Sequence, residues 1–130
     1  MTKYETLLSE YDEILDIEER PMVCEGLYCD GVAWINQKLP ERRRVCILAE
    51  EIGHYETSHG DILDLTDINN ARQELRARKW AYDKLLSVDM IIDAASKGHT
   101  EPYDMADYLD VDESFLKEYL AYQGILDISL

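Results

Sequence analysis

No two of the chain's cysteines are spaced C-x-x-C, no apolar stretch approaches the ~18 residues a membrane helix needs, and prolines number only three in 130 residues. Each absence excludes something. Cys24, Cys29 and Cys46 are odd in number and read as reduced thiols, not as a disulfide framework. Cys24 and Cys29 also lack two further ligands at zinc-finger spacing. Without a long apolar run no membrane span is expected. The opening "MTKYETLLSEYDEI" is acidic and amphipathic instead of basic and then apolar, so no signal peptide is expected and the protein is read as cytoplasmic. Basic residues are scarce too: 13 against 28 acidic ones, a net charge of −15. A surface of that sign repels phosphate backbones and anionic lipid, which argues against nucleic acid as a direct partner. Two basic islands interrupt it, "ERRRV" (Arg42, Arg43, Arg44) and "ARQELRARK" (Arg72, Arg76, Arg78, Lys79). Both read as solvated helix faces paired with neighbouring glutamates, with a patch for an acidic ligand as the alternative.

What is present is 46% hydrophobic residues, enough for one core and one domain over residues 1–130. Tyr4, Leu7, Leu8, Tyr11, Ile14 and Leu15 fall at helical spacing, which predicts a helix over 3–19 ended by Pro21. "MVCEGLYCDGVAWI" reads as short strands joined by tight turns, with Asp30-Gly31 as a hairpin signal, and is the only β region expected. Pro40 and Glu41 open a helix whose stripe Val45, Leu48, Ile52 and Tyr55 faces the core. A connector "DILDLTDINN" leads to a helix from about Asn70 to Leu86, a short helix over 88–97 stopped by Gly98, and two more around Val111. The fold class is therefore α+β and mainly helical, with residues 1–100 as the core unit and 101–130 as a helical tail.

One stretch carries chemistry: "LAEEIGHYETSHGD", residues 48 to 61. It has the form E-E-x-x-H where zinc proteases have H-E-x-x-H. Residues four apart share a helix face, so Glu50 and His54 can offer a carboxylate oxygen and an imidazole nitrogen to one ion. Glu51 then projects beside the ion, where H-E-x-x-H proteases place the general base for the attacking water. An acidic turn of surface helix that happens to hold a histidine is the plain alternative. Two features favour the site. Cys46, Ala49 and Gly53 form a small-residue strip, and Gly53 costs about 1 kcal/mol of helix propensity, so something should approach closely there. In "QELRARKWAYDKLL", Glu74, Ala77, Ala81 and Leu85 share a face, and packing Ala77 and Ala81 on the Gly53 strip would bring Glu74 in as a third ligand. Leu75 and Tyr82 read as core. His59 lacks the spacing and glycine turn of a longer metzincin motif and reads as a surface residue. His99 reads as a loop residue, and Asp61 as a fallback ligand.

With these residues in place the chain resembles the ImmA/IrrE family of metallo-endopeptidases, particularly its compact phage and mobile-element members. "GLYCDGVAWINQKLPERRRVCILAEEIGHYETSHGDI" is similar to that family's strand, helix and motif block. "ELRARKWAYDKLL" resembles its E-x-x-A-x-x-[F/W]-A-x-x-L-L block, and "YDMADYLDVDESFLKEYL" its helical tail. The resemblance implies a zincin-like fold, Glu51 as general base, His54 and Glu74 as metal ligands, and Glu50 in the first-ligand position. It implies Zn²⁺ as cofactor, with Mn²⁺ possible. The implied substrate is a protein partner, a helix-turn-helix repressor of a phage or mobile element, whose cleavage switches on the genes it holds off. The departures are Glu50 for histidine and Ser87 where proline often follows L-L. Two histidines and a glutamate around Zn²⁺ sum to +1, whereas Glu50, His54 and Glu74 sum to zero, which acidifies water less and weakens the preference for zinc over Mn²⁺.

Three further expectations follow. Val32 to Ile35 is the proposed sheet edge for an extended substrate, unless it only covers the core. The tail has a helix-turn-helix look, but Glu113 and Glu118 beside Lys117 make a poor face for phosphate, so it reads as a helical packing or protein-docking element. A binding protein of weak or no catalytic power, sequestering a repressor or another basic protein, is the competing functional class.

Overall fold

Helix α1 (Lys3–Tyr11) starts on a capping box: the Thr2 hydroxyl accepts from the Glu5 amide, and the Glu5 carboxylate accepts from the Thr2 amide. It buries Tyr4 and Leu7 and stops eight residues short of the expected 19, a correction with a physical cause. Asp12 and Glu13 bring negative charge to the negative end of the helix dipole. Beyond them the chain leaves as strand β1 (Asp16–Arg20), so Pro21 follows a strand, not a helix. The computed structural model describes residues 1–57 and 67–125, the latter with side chains from residue 71 on.

Strands β2 (Gly26–Cys29) and β3 (Val32–Asn36) form the expected hairpin. Asp30 and Gly31 both take positive φ, 47° and 81°, which suits a two-residue turn between twisted strands. The sheet order is β1-β3-β2, with β3 parallel to β1 and antiparallel to β2. Val32 to Ile35 is therefore the central strand and not an edge; the outer strands are β1 and β2. Alternation puts Ala33 and Ile35 in the core, while Leu27 and Trp34 pair across the other face.

Helix α2 (Glu41–Thr57) follows Pro40 and buries Val45, Leu48, Ala49, Ile52 and Gly53. Helix α3 (Asp67–Leu85) packs against it through Ala77 and Ala81, both fully buried. Tyr82 is core, as expected, but Leu75 is 50% exposed. It lies one residue beyond Glu74, on the flank of the helix that turns away from α2.

Helix α4 (Val88–Ser96) is capped by Ser87, whose hydroxyl accepts from the Met90 amide. The residue that departs from the family pattern thus takes up an orphan helix donor. Gly98, at φ 91°, ends the turn. Helices α5 (Pro102–Leu109) and α6 (Glu113–Tyr122) are joined through Asp110 at φ 61° and Asp112, which caps α6. Met105, Phe115, Leu116 and Tyr119 join the same core cluster as α1 and α2, so the tail is a packing element.

The first basic island is a clamp between elements. Arg42 pairs with Asp107 and Asp110, Arg43 with Glu25 and Asp112, and Arg44 with Glu19. Its acidic partners come from other elements, not from neighbouring positions on its own helix. Among the described residues no helix is long and apolar enough to cross a membrane.

Candidate metal centre

The close approach of α2 and α3 builds the centre. A Cβ on Gly53 would lie 3.0 Å from the Ala77 Cα and closer still to its carbonyl oxygen, so only glycine allows the helices this near. Glu74 sits one turn before Ala77, and the contact carries its carboxylate across to α2. The His54 Nε2 and Glu74 Oε1 atoms are 3.1 Å apart. Glu50, His54 and Glu74 each place one donor atom within 4.8 Å of the others. All three expected ligand residues are thus brought together. His59 and Asp61 lie outside the described residues.

The electrostatics of this cluster fit a cation. Burial is the main cause that raises the Glu50 pKa, and the Glu74 carboxylate raises it further, while Arg78 lowers it. The Glu74 carboxylate beside Glu50 disfavours the ionised form of Glu50 unless a positive charge lies between them. Two carboxylate oxygens and an imidazole nitrogen are three ligand positions of the kind a divalent ion takes, leaving room for a fourth. The residues therefore fit a divalent metal ion.

Glu51 is the buried charged residue beside this set, only 8% exposed. Burial, followed by the Glu50 and Glu74 carboxylates, pushes its pKa up to about 8. Above it lies β2. A Cβ on Gly26 would meet the Glu51 Oε2 at 2.9 Å and collide with the Ile47 methyl, so a bare backbone covers the carboxylate. Sequence reasoning missed this role for Gly26, although a glycine inside a strand is a known mark of close approach. It also missed Arg78 as a partner of Glu50: the Arg78 Nη2 lies 3.6 Å from the Glu50 Oε1. Its spacing one turn after Glu74 was the available signal.

His99 lies in the α4–α5 turn and is not part of the Glu50, His54 and Glu74 set. Its Nδ1 is 2.9 Å from the Asp104 Oδ2, and its ring stacks on Tyr108 with centroids 4.4 Å apart, so it is a fixed turn residue.

A search of curated proteins returned no match. Residues 17–120, which contain Glu50, Glu51, His54 and Glu74, match the family model of Peptidase M78, described as the IrrE N-terminal-like domain. A metal cofactor is what such a family implies, in agreement with the cluster between α2 and α3. The chain therefore belongs to the Peptidase M78 family and carries its zincin-like, metallopeptidase-like fold.

Proposed function

We propose that the protein is a cytoplasmic metal-dependent endopeptidase whose substrate is a helix-turn-helix repressor of a phage or mobile element. The observation that carries this reading is the convergence of Glu50, His54 and Glu74 with the buried Glu51 on the same turn of α2. Glu50, His54 and Glu74 would hold the ion, Zn²⁺ first and Mn²⁺ second. Bound there, a divalent ion supplies a Lewis acid that polarises the scissile carbonyl and lowers the pKa of water.

The chain's own residues supply the rest. Glu51 takes the proton of the attacking water on its carboxylate and returns it to the leaving amine, the two halves of general acid–base catalysis. Its raised pKa suits a group that must both accept and donate near neutral pH. β2 is an outer strand whose Gly26 lies over Glu51, so an extended substrate segment added to that edge would pass the base. The excess of acidic residues favours a basic partner such as a DNA-binding protein.

Glu50 supports a second reading, a zincin-fold binding protein that sequesters the repressor without cutting it. A carboxylate in the first-ligand position lowers the charge of the centre, and part of its own charge is engaged by Arg78. Incubation of the purified protein with the repressor, with and without Glu51→Gln, separates the two. Cleavage that disappears with the substitution supports the peptidase. A stable complex without cleavage, unchanged by the substitution, overturns it in favour of the binder.

A further inference from the structure

We propose that Arg78 is the counter-charge to Glu50, a positioning residue that returns to the Glu50, His54 and Glu74 set the positive charge that a carboxylate at position 50 removes. The assignment rests on the metal-centre reading above.

Arg78 stands one turn beyond Glu74 on α3, and its Nη2 is 3.6 Å from the Glu50 Oε1. Ala77, against Gly53, holds the two helices together at this level. The side chain of Glu50 is 20% exposed and that of Arg78 45%, so the pair is partly shielded from water while the guanidinium keeps access to solvent. A guanidinium remains charged at every working pH, so its contribution is constant.

Two glutamates and a neutral histidine carry −2, a divalent ion brings the sum to zero, and Arg78 brings it to +1. That equals the sum for two histidines and one glutamate around the same ion. In the metal-free protein Arg78 offsets the repulsion between Glu50 and Glu74. With an ion bound, it draws charge from Glu50 and raises the potential at the ion, at a cost in metal affinity.

That cost distinguishes a counter-charge from a structural prop, whose removal would loosen the ligands and weaken binding. Zn²⁺ affinity is measured on the full chain by competition with a chromophoric chelator, at low and high salt. The variants are Arg78→Gln, Arg78→Lys and His54→Ala, with folding checked by circular dichroism. Arg78→Gln is expected to bind Zn²⁺ about tenfold more tightly than wild type at low salt. The difference should narrow at high salt, and Arg78→Lys, which keeps the charge, should stay near wild type. Binding by Arg78→Gln that is unchanged or weaker overturns the assignment while leaving the metal centre intact. Zn²⁺ binding that is absent, or unaffected by His54→Ala, overturns the centre and the assignment together.

Discussion

Gly53 of α2 and Ala77 of α3 are in backbone contact, and this one contact sets where Glu74 stands relative to His54. The two helices that carry Glu50, His54 and Glu74 are held by the smallest side chains available, so the geometry of the candidate centre depends on a methyl group that is missing. Gly53→Ala tests this. Helix propensity would gain up to about 1 kcal/mol, but overpacking against a backbone carbonyl costs about 1–3 kcal/mol. The expected result is a lower melting temperature together with weaker Zn²⁺ binding. A variant that melts higher and binds Zn²⁺ as wild type does would show that the contact is not limiting.

Gly26 plays the same part for Glu51. A side chain there meets the Ile47 methyl, which is fixed on its helix, and the Glu51 Oε2, which can swing away. Gly26→Ala should therefore move the Glu51 carboxylate and leave Glu50, His54 and Glu74 in place. Cleavage of a repressor substrate should fall about 10- to 100-fold, as expected for a misplaced catalytic group, with Zn²⁺ affinity unchanged. Equal losses in both would mean that β2 supports the whole centre.

Much of this was legible in the sequence because it is written in local periodicity. The face shared by Glu50 and His54, the small strip around Gly53 and the face shared by Glu74, Ala77 and Ala81 all follow from 3.6 residues per turn. β1 was not legible. "DIEER" has helical composition, and its strand state comes from parallel pairing with β3 sixteen residues on, where Asp16 faces Val32. The same non-local pairing made Val32 to Ile35 a central strand. Leu75 shows the remaining limit: periodicity defines a helix face, but the width of the buried stripe depends on what packs against it.

Glu51 links the centre to pH. Its pKa is raised from 4.5 to about 8 in the metal-free fold, so between these values the folded state holds more of this proton than the unfolded chain does. Stability from this group is complete below about pH 4.5 and is lost as pH rises towards 8. Chelator-treated wild type should therefore lose stability relative to Glu51→Gln as pH rises from 6 to about 8, read as the difference between their melting temperatures. A constant difference across that range would show that Glu51 does not titrate there. Added Zn²⁺ should stabilise wild type by an amount that grows with the logarithm of its free concentration once this exceeds the dissociation constant, and His54→Ala should not share the gain.

Arg43 ties the strand side of the molecule to its tail. Its Nε and Nη2 each lie 2.8 Å from a Glu25 oxygen, and its Nη1 lies 3.4 Å from Asp112 at the cap of α6. The fork geometry is the strong form of the interaction, but Glu25 is half exposed, so Arg43→Met should cost only about 1 kcal/mol in urea unfolding at pH 7. Arg43→Lys should recover less than half of that loss, because an ammonium cannot engage both oxygens. Arg43 holds the Glu25 carboxyl below its ordinary range. The stability of this pair is therefore present above the unfolded pKa and disappears as pH falls through the folded one. Wild type and Arg43→Met should converge in acid, and a gap that persists at low pH would assign the loss to packing of the arginine stem instead of to its charge.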